Sequence, residues 1–237
     1  MVQMISLGAP LETPRVLRVR FHKIGVFQYI SHLDLMRTMT RVMARSHLPV
    51  RYTNGFNPKP HLVFSAPLPV GAESPREFVD VEVLRAVDLD EVKAVLNSGL
   101  PEDLAAEEVY YAETKFSAIT AAEYRITLFL PGADAALADA CAAALGKRPI
   151  VVCKRTKSGD RDVDISPALR SVSACYEAPC KIILTVTLAA DSGSFLNPDY
   201  LVNHLRDTLG ILQGSPLEEW YTVYRAHLFT ADGSDFF

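Results

Sequence analysis

No stretch of this 237-residue sequence approaches the roughly 18 consecutive apolar residues that a bilayer-crossing helix needs. The opening MVQMISLGAPLETP lacks both the basic start and the continuous apolar core of a secretory signal, so the chain is expected to work in the cytoplasm, with no membrane partner. Cysteine is scarce. Cys141, Cys153, Cys175 and Cys180 form no CxxC pair and no zinc-ribbon spacing, which leaves free thiols, expected in the core. Also missing are a GxxxxGK phosphate loop, a GxSxG elbow, an HExxH helix and a GxGxxG turn, and several enzyme classes are set aside with them. There is no CxxxCxxC run to hold a radical-generating iron–sulfur cluster, and the spacing of His22, His32, Asp34 and His61 matches no metal motif. Neither a metal nor a cofactor is therefore expected. What is present, 49% hydrophobic and 22% charged residues, argues against disorder, collagen and coiled coil and for a globular chain with one sizeable core or two smaller ones.

The formal net charge of −4 conceals a partition along the chain. Residues 15–61 carry nine basic residues (Arg15, Arg18, Arg20, Lys23, Arg37, Arg41, Arg45, Arg51 and Lys59) against one acid, Asp34, a net of +8. Residues 62–237 carry a net of −11. Such asymmetry marks a surface for an anionic partner or, in its plain form, a solvated face balanced by acids elsewhere in the fold.

Hydrophobic periodicity gives the elements. Val16, Leu17, Val19 and Phe21 alternate with Arg18, Arg20 and His22, the pattern of a half-buried strand with a basic outer face. Ser31 is placed to cap a helix running to about Ser46, with Asp34 in its first turn. Leu33, Met36, Met39 or Thr40, and Met43 supply an apolar stripe for that helix, while Arg37, Arg41 and Arg45 at i, i+4 and i+8 make one basic ridge. Residues 48–53 read as a second strand, 54–60 as a turn and loop, 61–68 as a third extended stretch, and 78–84 as an alternating strand. Asp88 or Asp90 caps a helix to about Asn97, and residues 104–113 close the half as a strand.

The second half repeats this order. Residues 123–130 form a strand, 135–145 an alanine-rich helix, 150–154 a short strand and 180–188 the clearest strand. Asn197 and Pro198 open a helix through Leu209, stopped by Gly210, and an aromatic-rich strand spans 220–230. Two successive strand-helix-strand-strand-helix-strand units predict an α+β fold of two tandem ferredoxin-like (split βαβ) domains, antiparallel sheets with helices on one face. The expected division is an N-terminal tail at 1–14, a first domain at 15–115 and a second at 116–237. A single larger α+β sheet is the competing arrangement.

Three groups of residues carry possible chemistry. His32, at the start of the first helix, can act as a general acid or base or donate to a phosphate there, or it can merely bond the backbone or Asp34. In the loop from Gly55 to His61, Phe56 and Lys59 suit a stacked base and a phosphate of single-stranded nucleic acid, or else Phe56 packs inward and Lys59 is simply solvated. A third group, Lys147, Arg148, Lys154, Arg155, Lys157 and Arg161, is either a further basic surface or a solvated turn.

The motifs Arg20-Phe21, Ser31-His32-Leu33-Asp34, Gly55-Phe56-Asn57-Pro58, Ser65 and Pro67-Leu68-Pro69 before Gly71 make this stretch resemble the domain of unknown function found in bacterial radical S-adenosylmethionine-linked proteins, in its stand-alone form. The likeness fades from about residue 85, leaving Val163, Asp164, Ile165 and Asn197-Pro198-Asp199 as familiar points. The resemblance implies a radical S-adenosylmethionine protein as partner and raises the expectation of RNA. A second, looser analogy is to the CRISPR repeat-processing endoribonucleases, where Tyr29 and His32 would hold comparable places, although the glycine-rich loop those enzymes carry near the C-terminus is missing.

The leading expectation is an RNA-binding accessory protein acting with a radical S-adenosylmethionine enzyme on tRNA or rRNA. Arg18, Arg20, Arg37, Arg41, Arg45 and Lys59 would hold phosphates, Phe56 and Tyr29 would contact bases, and Asn57 and His61 would complete the anion-binding set. A metal-independent endoribonuclease using His32 and Tyr29, and a protein-docking module using the basic segment, are the alternatives.

Overall fold

The alternating strands condense into an α+β fold, seen here in a computed structural model that describes residues 7–156, 159–191 and 193–237, with backbone only at 155 and 156. Among the described residues there are four α-helices, and none is long and apolar enough to cross a membrane. These residues fall into two compact units, one reaching to Phe116 and including Phe237, the other Ser117–Phe236.

In the first unit, β1 (Leu7–Lys23) pairs antiparallel with β3 (Ala72–Val87) and with β4 (Ala106–Tyr111), while β2 (Leu62–Phe64) pairs with β3, giving the order β4-β1-β3-β2. Leu17, Val19 and Phe21 of β1 and Val79, Val81 and Val83 of β3 form one buried face. Two helices cover it. α1 (His32–Arg45) buries Leu35, Met39, Val42 and Met43, and α2 (Leu89–Gly99) buries Val92, Val95 and Leu96, with Asp88 accepting from the amides of Asp90 and Glu91 as its N-cap.

Several expectations shift. β1 begins at Leu7, so residues 7–14, expected as a tail, lie against β3 through Leu7↔Val87 and Pro10↔Arg85. The predicted strand at 48–53 is reduced to isolated bridges, Val50↔Val83 and Tyr52↔Pro60, because Pro49 and the turn that follows leave no run of ladder donors. The stripe of α1 is also rotated. Leu33 and Met36 face solvent, since burial follows Leu35, Met39 and Val42, an i, i+4, i+7 series.

At the outer edge of β4, the Asn97 side chain from α2 donates Nδ2 to the Ala106 carbonyl at 2.9 Å and accepts the Ala106 amide on Oδ1 at 2.7 Å.

The face of β1 opposite the helices holds Arg18, expected to meet an anion outside the protein. Its guanidinium is instead enclosed, with no exposed surface, and grips Asp80 on β3 through two hydrogen bonds of 2.8 Å. Further bonds reach Thr114 and the Phe237 carbonyl, and the Phe116 ring lies 4.4 Å from the guanidinium carbon. Burial pushes the Asp80 carboxyl above its ordinary pKa, against the pull of Arg18.

The second unit assembles β5 (Ala121–Phe129), β8 (Leu169–Glu177), β9 (Lys181–Ala189) and β10 (Trp220–Phe229) in the order β10-β5-β9-β8, all neighbours antiparallel. α3 (Ala135–Gly146) starts at Asp134, which accepts from the Leu137 amide, and buries Ala138, Cys141 and Leu145. α4 (Asp199–Leu209) buries Leu201, Val202 and Leu205. Here Pro198 is the N-cap and Asn197, predicted for that place, accepts the Asp199 amide from one residue further out. The short strand expected at 150–154 is not part of the sheet. It becomes β6 (Val151–Thr156), which pairs with β7 (Gly159–Asp164) as a separate two-stranded ribbon, and the place beside β9 goes to β8. Of the cysteines only Cys141 is buried, its thiol pushed up to about 11 by desolvation, whereas Cys153, Cys175 and Cys180 are exposed.

The two neighbouring arginines of β1 should behave oppositely when truncated. Arg18→Ala strands a largely buried carboxylate and is expected to cost about 3–5 kcal/mol in urea denaturation. Arg20→Ala breaks only the exposed pair with Glu108 and should cost about 1 kcal/mol or less.

Candidate nucleic-acid interface

The motif-bearing segment is organised around the start of α1. After β1 the chain turns through a 3-10 segment, Gly25–Tyr29, at whose first residue φ is +55° and an added Cβ would run into the Asp103 carboxylate. The turn is strapped from inside. Lys23, only 2% exposed, donates to the carbonyls of Gln28 and Ala72, while the Gly25 amide donates to Glu73 at 2.8 Å. Ser31 then caps the helix, accepting the Asp34 amide at 3.1 Å and donating to its carboxylate at 2.8 Å, and Arg37 donates to the other oxygen at 3.0 Å. Those bonds, the Ser31 one foremost, hold the Asp34 carboxyl below its usual pKa.

His32 is exposed and rests edge-on against the Phe64 ring, with centroids 5.5 Å apart. Behind it lies a small cleft lined by Lys23, Phe64, Ser65, Pro67 and Glu77 among others, so the His32, Ser65 and Pro67-Leu68 motifs meet here. Its volume, about 10 Å³, admits about one water and no nucleotide. Tyr29 is 68% exposed, and no hydrogen bond joins it to His32 among the described residues. Tyr29, Val26, Leu33 and Val70 instead leave an apolar surround at the helix start.

Along α1, Arg37, Arg41 and Arg45 are exposed as a ridge. Arg37 is tied to Asp34, whereas Arg41 and Arg45 hold no ion pair among the described residues. The segment from Ser46 to Val50 leads straight from the helix to the bridge with Val83, and the following loop is anchored on β3 between that bridge and the Leu62↔Val81 pair. That loop is a small hairpin. The Thr53 amide donates to the Lys59 carbonyl, the Lys59 amide returns to Thr53 Oγ1, and the His61 amide donates to Arg51. Phe56 stands at its tip fully in solvent, with Asn57, Lys59 and His61 also exposed.

The remaining sequence candidates part company. Arg18 is internal, and Arg20 is engaged by Glu108 at 3.1 Å. His22 is held between Glu107 and the Glu102 carbonyl, and no three His, Cys, Asp or Glu are gathered as metal ligands among the described residues. Of the third basic group, Arg148 is spent on the carbonyls of Ser166 and Leu169, Lys154 lies over Tyr200, Lys147 and Arg161 are exposed, and Lys157 and the Arg155 side chain lie outside the described residues. Leu33 and Met36 are solvent-facing, and the sequence signal for it is the competing apolar series Leu35, Met39 and Val42 at i, i+4 and i+7.

The Asp34 bonds give a pH signature. A carboxyl depressed in the folded state adds stability above its unfolded pKa, near 3.8, and loses it as pH falls through the lower folded value. Between about pH 6 and about pH 3, thermal midpoints should therefore fall further for the natural chain than for Asp34→Asn, the difference reporting the Asp34 carboxylate with its Ser31 and Arg37 bonds.

No curated protein matches the chain in sequence. Among solved structures it aligns with a chain in the crystal structure of a Cbf5-Nop10-Gar1 complex at a TM-score of 0.45 and 10% identity, over 90% of this chain and 48% of that one, so it spans about half of that chain's length. A family described as an uncharacterized protein conserved in bacteria (DUF2344) matches residues 16–198, well past the point near residue 85 where the motif likeness fades. Its span takes in the Ser31 cap, the cleft behind His32 and the Phe56 hairpin, and reaches the residue that caps α4, so the chain belongs to this bacterial family.

Proposed function

We propose that this protein is an RNA-binding accessory factor that works with a radical S-adenosylmethionine enzyme in the modification or maturation of tRNA or rRNA. The observation that carries the reading is the pairing of uncommitted cations with a displayed aromatic: Arg41, Arg45 and Lys59 without ion-pair partners among the described residues, and Phe56 fully exposed on a hydrogen-bonded hairpin. An arginine row supplies phosphate contacts and an exposed ring supplies stacking, the two ingredients of single-strand binding. The link to a radical S-adenosylmethionine partner rests on the motif resemblance. The strand order β4-β1-β3-β2, repeated as β10-β5-β9-β8, supports reading each unit as a ferredoxin-like split βαβ domain, the second with the β6–β7 ribbon inserted. His32 and Tyr29 are both exposed and share no hydrogen bond among the described residues, so no acid–base pair is assembled between them, which favours binding over cleavage.

Filter binding of cellular RNA across a salt series tests this. Log affinity should fall linearly with log salt, Arg41→Gln and Arg45→Gln should each reduce the slope by about 0.7, and Phe56→Ala should cost about 1–3 kcal/mol. Absent or salt-insensitive binding overturns the reading. Labelled RNA incubated with the protein in chelator should stay intact, since shortened products would mark an endoribonuclease, and a partner retained after RNase treatment with no RNA bound would mark a protein-docking module.

A further inference from the structure

We infer that the solvent face of the second unit's sheet is a stacking platform for unpaired RNA bases. The inference rests on the RNA reading above but uses none of its residues. Tyr221, Leu128 and Ile182 point to the helix side, where the Tyr221 hydroxyl donates to Asp199 of α4 at 3.1 Å. By alternation, their neighbours Trp220, Phe129 and Lys181, mutual partners across β10, β5 and β9, stand on the opposite face. They form one row. The Trp220 and Phe129 rings stack at 4.6 Å with 11° between planes, and the Lys181 ammonium lies 5.7 Å from the Phe129 centroid. Trp220 is 43% exposed, so the indole is the ring a base can reach, held in orientation by the phenyl ring beside it.

Four residues along β5, about 13 Å away, a second row repeats the chemistry. Arg125 is exposed, its guanidinium carbon 5.4 Å from the Tyr224 centroid, and Tyr224 is its direct partner on β10. Between the rows lie the hydroxyls of Thr127 and Thr222. Two aromatic positions, each with a cation close by and with hydroxyls between them, match bases, phosphates and ribose better than they match an aliphatic protein surface. Glu123 and Glu177 also lie on this face, away from the Trp220–Phe129 contact: Glu123 two residues beyond Arg125 on β5, Glu177 on β8 opposite Lys181. A flat row of rings takes bases only when they are unstacked, so a duplex is the wrong ligand.

Trp220 is the sole tryptophan, and its emission therefore reads this face directly. The full chain is titrated with a single-stranded uridine dodecamer and, separately, with a duplex of equal length, while filter retention records total binding. The expected result is saturable quenching by the single strand and little change with the duplex. Trp220→Leu should weaken single-strand affinity on the order of tenfold. Arg125→Gln, at an exposed side chain, should weaken it a few-fold and serves if the tryptophan variant does not fold. RNA retained with unchanged emission and unaltered variant affinities overturns the platform while leaving the α1 ridge reading intact. Equal quenching by the duplex overturns base stacking, and no retention of any RNA overturns both readings.

Discussion

A four-stranded sheet that buries one face under helices must still dispose of the other, and the two units do so in opposite ways. The first fills it. Arg18 is placed opposite Asp80 by the β1–β3 register, and its remaining donors reach Thr114 and Phe237 while Phe116 lies against the guanidinium. A charge buried so deeply persists only because nearly all its hydrogen-bonding capacity is met, and that demand fixes the path of the residues around 114–116. The second unit leaves its face open, and the side chains there are mostly aromatic, charged or hydroxylated, with Ile183 an aliphatic exception, where a core would be aliphatic throughout.

The same accounting changes the meaning of the basic segment. Nine cations before residue 62 describe a strongly positive surface only if all of them reach it. Arg18 and Lys23 are turned inward, Arg20, Arg37 and Arg51 are matched by Glu108, Asp34 and Glu82, and Arg15 lies over the Tyr111 ring. The positive field that a partner would meet is thus concentrated on Arg41, Arg45 and Lys59, and it is narrower than the sequence count implies.

What could be read in advance follows from how local each signal is. The Ser31 cap, the Asp88 alternative and the Gly210 stop lie within a few residues of the helices they bound, and each is found in place. β8 is hard to recognise because Leu169 is its one buried residue, Val172 and Ala174 are small and only half-buried, and Arg170, Ser171, Ser173 and Cys175 are exposed, so its alternation carries little hydrophobic contrast. The burial of Arg18 and the face shared by Trp220 and Arg125 were out of reach for another reason. Both depend on cross-strand register, and a register slip of one residue would exchange every inward side chain for an outward one.

The Asn97 clip on Ala106 has a consequence for how the molecule keeps to itself. Among the described residues β4 has a strand on one side only, and an unpaired strand edge is a template for another chain. Asn97 occupies that edge with a group that donates and accepts at once, as a neighbouring backbone would. An ionised carboxylate could only accept and would face the Ala106 carbonyl, and a hydroxyl is too short to span both atoms. A single carboxamide on α2 therefore acts as a counterfeit strand, closing the ladder position from which edge-to-edge polymerisation would otherwise begin.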